Sequence, residues 1–383
     1  MQTQTNQDFK IAVYYPCFLG GGAEAVALWM LEALKDDYEV TLFTFSEVDL
    51  NKLNSKYGTN LTKETINIKS ILPHFLTAPT NFLNSNTKHF KQFSLHSVLR
   101  YIKAKQDDYD LLISGYNAVD LGKPGIQYIH WTGVVEQNKL AEKYYNKLSD
   151  FSVSRMQKNL SLVNSKTIAE RVQKVYNIEP ILVYPPVVIE SIDVPWEEKE
   201  NAFICSGRLV KAKQPHQAIS IIKAVRERGF DVKLYLTGGG GGGEQDYLRF
   251  LNKMIDDNSD WVKLYRNLSY EDYSKILYKC KYGIHRKQEP FGISVAEMVK
   301  AGAIPFVKST GGQVEIVGEQ NHDLLFSDNE DATETIVKVL SSEEKQNQLR
   351  QALQQQQDLF STEKFSQEFK KIVKNYLEKK VRS

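Results

Sequence analysis

The chain has 383 residues, 42% hydrophobic and 25% charged, which is ordinary for a globular enzyme and enough for two full cores. A formal net charge of +2 argues against general nucleic-acid binding, which usually leaves a clearly basic domain. Three widely spaced cysteines, Cys17, Cys205 and Cys280, form no ligand pattern and suit a reducing compartment. The opening MQTQTNQDFK lacks the apolar core of a signal peptide, and no apolar run approaches the roughly 20 residues of a membrane span. The expectation is a cytoplasmic protein that can rest on a membrane surface.

In chain order, Phe9–Tyr15 reads as a buried strand. Gly20-Gly21-Gly22 follows, then the helical run AEAVALWMLEAL and a second strand, Glu39–Phe45. The glycine turn does not meet the G-x-G-x-x-G dinucleotide fingerprint, because Glu24 and Val26 follow the glycines. Between Lys52 and Lys105 there are nine basic residues and a single acid, Glu64. Within that segment Leu95, Val98, Leu99 and Ile102 keep i, i+3, i+4, i+7 spacing. The resulting helix either lies on anionic lipid through residues 88–105 or packs its stripe into the core. Tyr109–Gly115 and Ile126–Trp131 are further strands. Asp108-Tyr109-Asp110 matches the D-x-D pattern of metal-dependent transferases, but its place before a strand reads better as a turn. His130 ends its strand, where active-site residues gather in doubly wound sheets, though beside Trp131 it also suits a packed core. Ser161–Val172 gives strand, turn and helix. Two prolines in Tyr184-Pro185-Pro186 mark the end of a first domain.

The second half restarts the pattern. Ala202–Leu209 is a strand running into a Gly207-Arg208 turn, with a helix from about Gln214 to Arg228. Residues 231–238 make a strand closed by the glycine run Gly238–Gly243, read as a permissive loop or a plain linker. Trp261–Leu268 is a strand and turn, and Ser269 with Asp272 forms a capping box for the helix Tyr270–Lys279. Tyr282–Val317 then parses as strand, loop (Arg286–Gly292), helix (Ile293–Ala301), strand and a Gly311-Gly312 turn, a parallel βαβ unit. Glu289 and Glu297, eight residues apart, flank Phe291-Gly292 at the helix start. That N-terminus offers unpaired N–H groups and a positive dipole end, a seat for a diphosphate. Glu297 lies in the apolar run ISVAEMV and needs partners such as ribose hydroxyls. Beyond Leu324–Phe326 come a helix from about Asp331, a polar glutamine stretch (351–357) and a final helix. Phe365, Phe369, Ile372, Val373 and Tyr376 line one face of that helix.

The E-x7-E spacing with its EPFG start, AxxAG follow-on and GGxxEIV tail resembles the motif of retaining family 4 glycosyltransferases. The resemblance runs from the GGAE turn to the terminal helix. It implies the GT-B fold: two Rossmann-like α/β domains facing across a cleft, residues 1–190 on the acceptor side and 191–360 on the donor side, with the terminal helix (361–383) crossing back onto the first. It further implies that Gly21 and Gly22, followed by Glu24, lie near the donor phosphate and the acceptor. His130 would touch the transferred sugar. Arg208 and Lys213, matching the G-R-L-x-x-x-K element with Gly207, would grip the diphosphate, stabilising the leaving group without a metal or other cofactor. Glu297 would bind ribose. Glu289 with Phe291, Gly292 and Ile293 would orient the sugar, and the turn before Tyr270 would hold the base through its backbone. The GIH…EPFGI and YPP segments are most similar to the branch of dolichol-oligosaccharide mannosyltransferases, which favours a mannose donor and a lipid-linked or glycan acceptor. The alternatives are a catalytically silent nucleotide-sugar-binding subunit, or a sucrose- or trehalose-type synthase with a soluble acceptor.

Overall fold

The computed structural model describes residues 9–132, 140–190, 192, 194–239 and 244–382. The chain divides into two compact units, one formed by Met1–Pro186 with Thr362–Ser383 and the other by Val187–Ser361. The first holds seven strands: β1 (Lys10–Tyr14), β2 (Glu39–Ser46), β3 (Asn67–Leu72), β4 (Leu111–Ser114), β5 (Ile126–Ile129), β6 (Leu160–Val163) and β7 (Ile181–Leu182). They pair in parallel in the order β3-β2-β1-β4-β5-β6-β7. A parallel sheet is covered on both faces, so its strands read as continuous apolar runs. In β1 the period-2 alternation assigns the faces. Ile11 and Val13 point into a core shared with the helix Gly22–Leu34 and with Phe365, Phe369, Val373 and Leu377 of the terminal helix Thr362–Arg382. Ile372 and Tyr376 pack at the edge of that core, only partly buried. Ala12 and Tyr14 point the other way, into a second core with Phe43 and Phe45.

Val98, Leu99 and Ile102 of the helix Lys88–Ala104 complete this second core, and Leu95 is buried on the same helix, its carbonyl accepting from Tyr14 OH at 3.0 Å. The stripe is therefore a packing face, which a bilayer cannot reach. One of its lysines is also structural. Lys103 Nζ lies 2.7 Å from Asp120 Oδ2 and bonds the carbonyls of Ser149 and Asp150, while Arg155 pairs with the same fully buried carboxylate.

The second unit holds β8 (Glu200–Ser206), β9 (Lys233–Gly238), β10 (Val262–Arg266), β11 (Cys280–His285), β12 (Ile304–Lys308) and β13 (Leu325–Phe326). They too are parallel, in the order β10-β9-β8-β11-β12-β13. The Ser269 hydroxyl accepts from Asp272 N at 3.1 Å and caps the helix Tyr270–Lys279, as the local pattern predicts. The glutamine stretch is helical. It lies in the helix Glu343–Gln357, whose Leu349 and Leu353, one turn apart, are buried. Each sheet has a switch point where successive crossovers go to opposite sides, at β1/β4 and at β8/β11. Loops leaving the carboxyl ends of those strands diverge and leave room for a ligand.

Candidate active site

At the β8/β11 switch the two loops carry the expected residues. Gly207 follows β8 in close approach to β9: its N–H donates to Thr237 O at 3.0 Å, and a Cβ on Gly238 would lie 1.8 Å from Gly207 O. Arg208 is exposed, and its guanidinium makes no hydrogen bond or ion pair among the described residues. After one more turn Lys213 Nζ reaches Glu289 Oε1 at 2.5 Å. His285, the last residue of β11, brings Nε2 to 3.5 Å from the same oxygen, outside bonding geometry, and this buried nitrogen has no hydrogen-bond partner among the described residues. Burial pushes the Glu289 carboxyl up, but the His285 ring and the Lys213 ammonium outweigh it and hold its pKa down to about 2.

The loop bearing Glu289 is clamped from the far side. Gln313, fully buried, accepts from Glu289 N through Oε1 at 2.9 Å. Its amide donates to the carbonyls of Lys287 (3.1 Å), Lys308 (3.3 Å) and Thr310 (2.8 Å). Gly312 N bonds Glu289 O, and a Cβ on Gly312 would lie 2.3 Å from Pro290 O, so only glycine lets the two loops touch. Phe291 is buried, with its ring 5.5 Å from that of Phe360. Gly292, at φ 110°, begins the helix Ile293–Lys300, which no side chain caps. Glu297, one turn inside, accepts from Tyr273 OH at 2.7 Å. Burial raises the Glu297 carboxyl to about 7, against the lowering effect of that bond and of Lys300. The neighbouring Tyr270 hydroxyl is buried without a hydrogen-bond partner among the described residues.

The first unit gathers its own set at the ends of β1, β4 and β5. Gly20 and Gly21 take positive φ, 93° and 142°. Glu24 lies beneath the loop, taking hydrogen bonds from Gly20 N and, at 2.7 Å, from Tyr57 OH. It is buried (3% exposed), and burial raises its pKa. Glu24 thus braces the loop, while Gly22 opens the helix behind it. His130 Nε2 lies 3.0 Å from Gly115 O. A carbonyl can only accept, so Nε2 carries the proton and Nδ1 presents its lone pair. Burial lowers the His130 pKa to about 4, keeping the ring neutral. Asn117 Oδ1 accepts from the N–H groups of both His130 and Trp131, fixing the strand end.

The second unit therefore brings together Lys213 and Glu289 directly, with Phe291, Gly292, Ile293 and Glu297 along the same loop and helix. Gly21, Gly22 and His130 belong to the first unit, and Gly240–Gly243 of the glycine run lie outside the described residues. Asp110 Oδ2 accepts from Lys10 N at 2.8 Å, tying two strands together, which fits the turn reading of Asp108-Tyr109-Asp110. Sequence reasoning missed His285, Tyr273, Gln313, Tyr57 and Asn117. Only His285 carried a signal, as a polar residue closing an apolar strand.

Residues 189–356 match the family described as glycosyl transferases group 1. The chain is 25% identical over 263 residues to the GDP-Man:Man(3)GlcNAc(2)-PP-Dol alpha-1,2-mannosyltransferase of Dictyostelium discoideum, covering 63% of this chain. It spans about half (52%) of that relative's length. Among solved structures, Anabaena Alr3699/HepE in complex with UDP and glucose superposes with a TM-score of 0.69 at 16% identity, covering 96% of this chain and 100% of that one. The sucrose-phosphate synthase of Thermosynechococcus elongatus superposes with a TM-score of 0.67 at 14% identity, covering 96% and 99%. Residues 189–356 are thus similar to the glycosyl transferases group 1 family, and the chain has a two-domain α/β fold of the GT-B kind.

Proposed function

We propose that the chain is a retaining, metal-independent glycosyltransferase of family 4, transferring a hexose from a nucleotide diphosphate sugar to a hydroxyl of a lipid-linked or glycan acceptor. The observation that carries the reading is the Lys213–Glu289 pair beside the uncapped start of the helix Ile293–Lys300. A departing diphosphate gains negative charge, and Lys213, Arg208 (unpaired among the described residues) and the helix N–H groups are positive partners for it. The bond from the anomeric carbon to the phosphate oxygen breaks as the acceptor oxygen bonds that carbon from the same face. The acceptor proton passes to the departing phosphate oxygen, so no protein nucleophile or base is required. Glu289, held ionised, is the acceptor for sugar hydroxyls and keeps Lys213 in place. Glu297, beside Tyr273, receives the ribose hydroxyls, and neutral His130 offers Nδ1 to a hydroxyl of the transferred sugar.

The Dictyostelium relative is named for GDP-mannose and a dolichol-diphosphate acceptor, which supports mannose and a lipid-linked glycan. Thermal-shift titration with GDP-mannose, UDP-glucose and ADP-glucose tests the donor, since a ligand that binds the native state raises its stability. GDP-mannose is expected to stabilise most and to be consumed when a mannosyl-glycan acceptor is added. Binding without hydrolysis or transfer would instead indicate a silent subunit. Transfer to free fructose or glucose phosphates would indicate a synthase.

A further inference from the structure

The helix Thr77–Asn86 is packed with its polar side inward. Its buried residues are Thr80 and Asn84, and both amide atoms of Asn84 lack a hydrogen-bond partner among the described residues. Ser94 Oγ, buried on the following helix, is likewise unpartnered. The outward side is apolar. Phe75 is 77% exposed, Phe82 68% and Leu83 40%. Positions 75, 78, 79 and 82 keep i, i+3, i+4, i+7 spacing through the one-turn 3-10 helix His74–Leu76 that runs into this helix, and all four are exposed. Residues 70–87 contain no Asp, Glu, Lys or Arg, and the stretch is flanked by Lys69 on one side and by Lys88 and Lys91 on the other. In water this arrangement is unfavourable on both faces, because amide groups are orphaned inside and phenylalanines are wetted outside.

We propose that the Phe75–Leu83 stripe is a membrane-docking face that inserts into the interface of an anionic bilayer, with Lys88 and Lys91 against the lipid headgroups. Covering the outer face removes the exposed apolar surface, the one of the two penalties a partner can relieve. An uncharged apolar stripe with cations at its margin is the composition of a helix lying in a lipid interface. A second copy of the chain fits poorly, since pairing the same face would bring lysines of like charge together. The face differs from the Leu95–Ile102 stripe, which is core. It also stands apart from the proposed transfer reaction, since vesicle binding needs neither donor nor acceptor.

The test is sedimentation of the full chain with phosphatidylcholine vesicles, with and without phosphatidylglycerol. Three proteins are compared: wild type, Phe75→Ser/Phe82→Ser and Lys88→Glu/Lys91→Glu. Phe75, Phe82 and Lys88 are exposed and Lys91 is half-buried, and an unchanged thermal midpoint confirms the fold of each variant. Wild type is expected to bind the anionic vesicles, and both variants to bind at least roughly tenfold more weakly. A Phe82→Trp reporter is expected to be quenched by brominated lipid, which reads insertion independently. Absence of wild-type binding to anionic vesicles would overturn the proposal. Binding that survives Phe75→Ser/Phe82→Ser unchanged would overturn it too, as would a protein dimer that these substitutions dissociate in place of vesicle binding.

Discussion

Lys213 and Glu289 stand 76 positions apart in the chain, yet their side chains meet at 2.5 Å, because β8 and β11 are neighbours in the sheet. The pair sits where the sheet reverses its strand order, so two loops that would otherwise diverge are bridged by one ion pair.

Under the proposed reaction this pair and Glu297 fail differently when altered. Lys213→Ala removes a cation needed most as the diphosphate departs, so kcat is expected to fall by about 10²–10³. Glu297→Ala removes contacts made alike in ground and transition states, so KM for the donor rises with a smaller change in kcat. Steady-state kinetics with a saturating acceptor distinguishes them. Matching losses in both parameters for both variants would contradict the assigned roles.

Transfer is expected to survive chelation. Under the proposed reaction the positive charge facing the leaving group would come from Lys213, Arg208 and a helix start, and the Asp110 carboxylate is engaged with Lys10 N. The measurement is initial rate with and without EDTA. Loss of activity that Mn²⁺ or Mg²⁺ restores would show that the protein charges are insufficient.

The Asp120 cluster predicts a stability effect far from the candidate site. Its carboxylate is fully buried between Lys103 and Arg155 and also accepts from Gly122 N and Ser152 N. Removing one member of a buried ionic network leaves the others uncompensated, at a cost of about 3–5 kcal/mol. Asp120→Ala is therefore expected to lower the urea midpoint strongly, and Lys103→Glu to do so by placing like charges together. A loss of lipid binding in Lys103→Glu would therefore report unfolding. Lys88 and Lys91 are the informative positions.

What could be read from the sequence follows from how local each cause is. The βαβ parse of Tyr282–Val317, the Ser269 cap and the two sheets depend on periodicity and turn residues a few positions apart, and these appear as expected. The brace under the glycine turn does not, because Glu24 meets Tyr57 across 33 residues and no spacing rule links them. Gln313 is similar: one amide satisfies four backbone groups from two loops, which only the tertiary approach of Gly312 to Pro290 makes possible. The orientation of Leu95–Ile102 was undecidable locally, since a core stripe and a lipid stripe share one pattern. Burial alone decided it.

Glu297 supplies a prediction with a sign. Its carboxyl titrates near 7 in the free protein because burial disfavours the charged form. Its pKa is raised above the ordinary carboxylate range, so its contribution favours the fold at acid pH and is lost as pH climbs through about 7. Ribose hydroxyls donating to the carboxylate would favour the ionised form and pull the pKa back down. Nucleotide binding at pH 6 is therefore expected to release up to one proton, and binding at pH 8.5, where the group is already ionised, to release almost none. Calorimetric titration with GDP in buffers of different ionisation enthalpy measures this directly, and Glu297→Gln is expected to abolish the buffer dependence. Proton uptake at pH 6, or release that persists in Glu297→Gln, would place the titrating group elsewhere and separate Glu297 from the ribose.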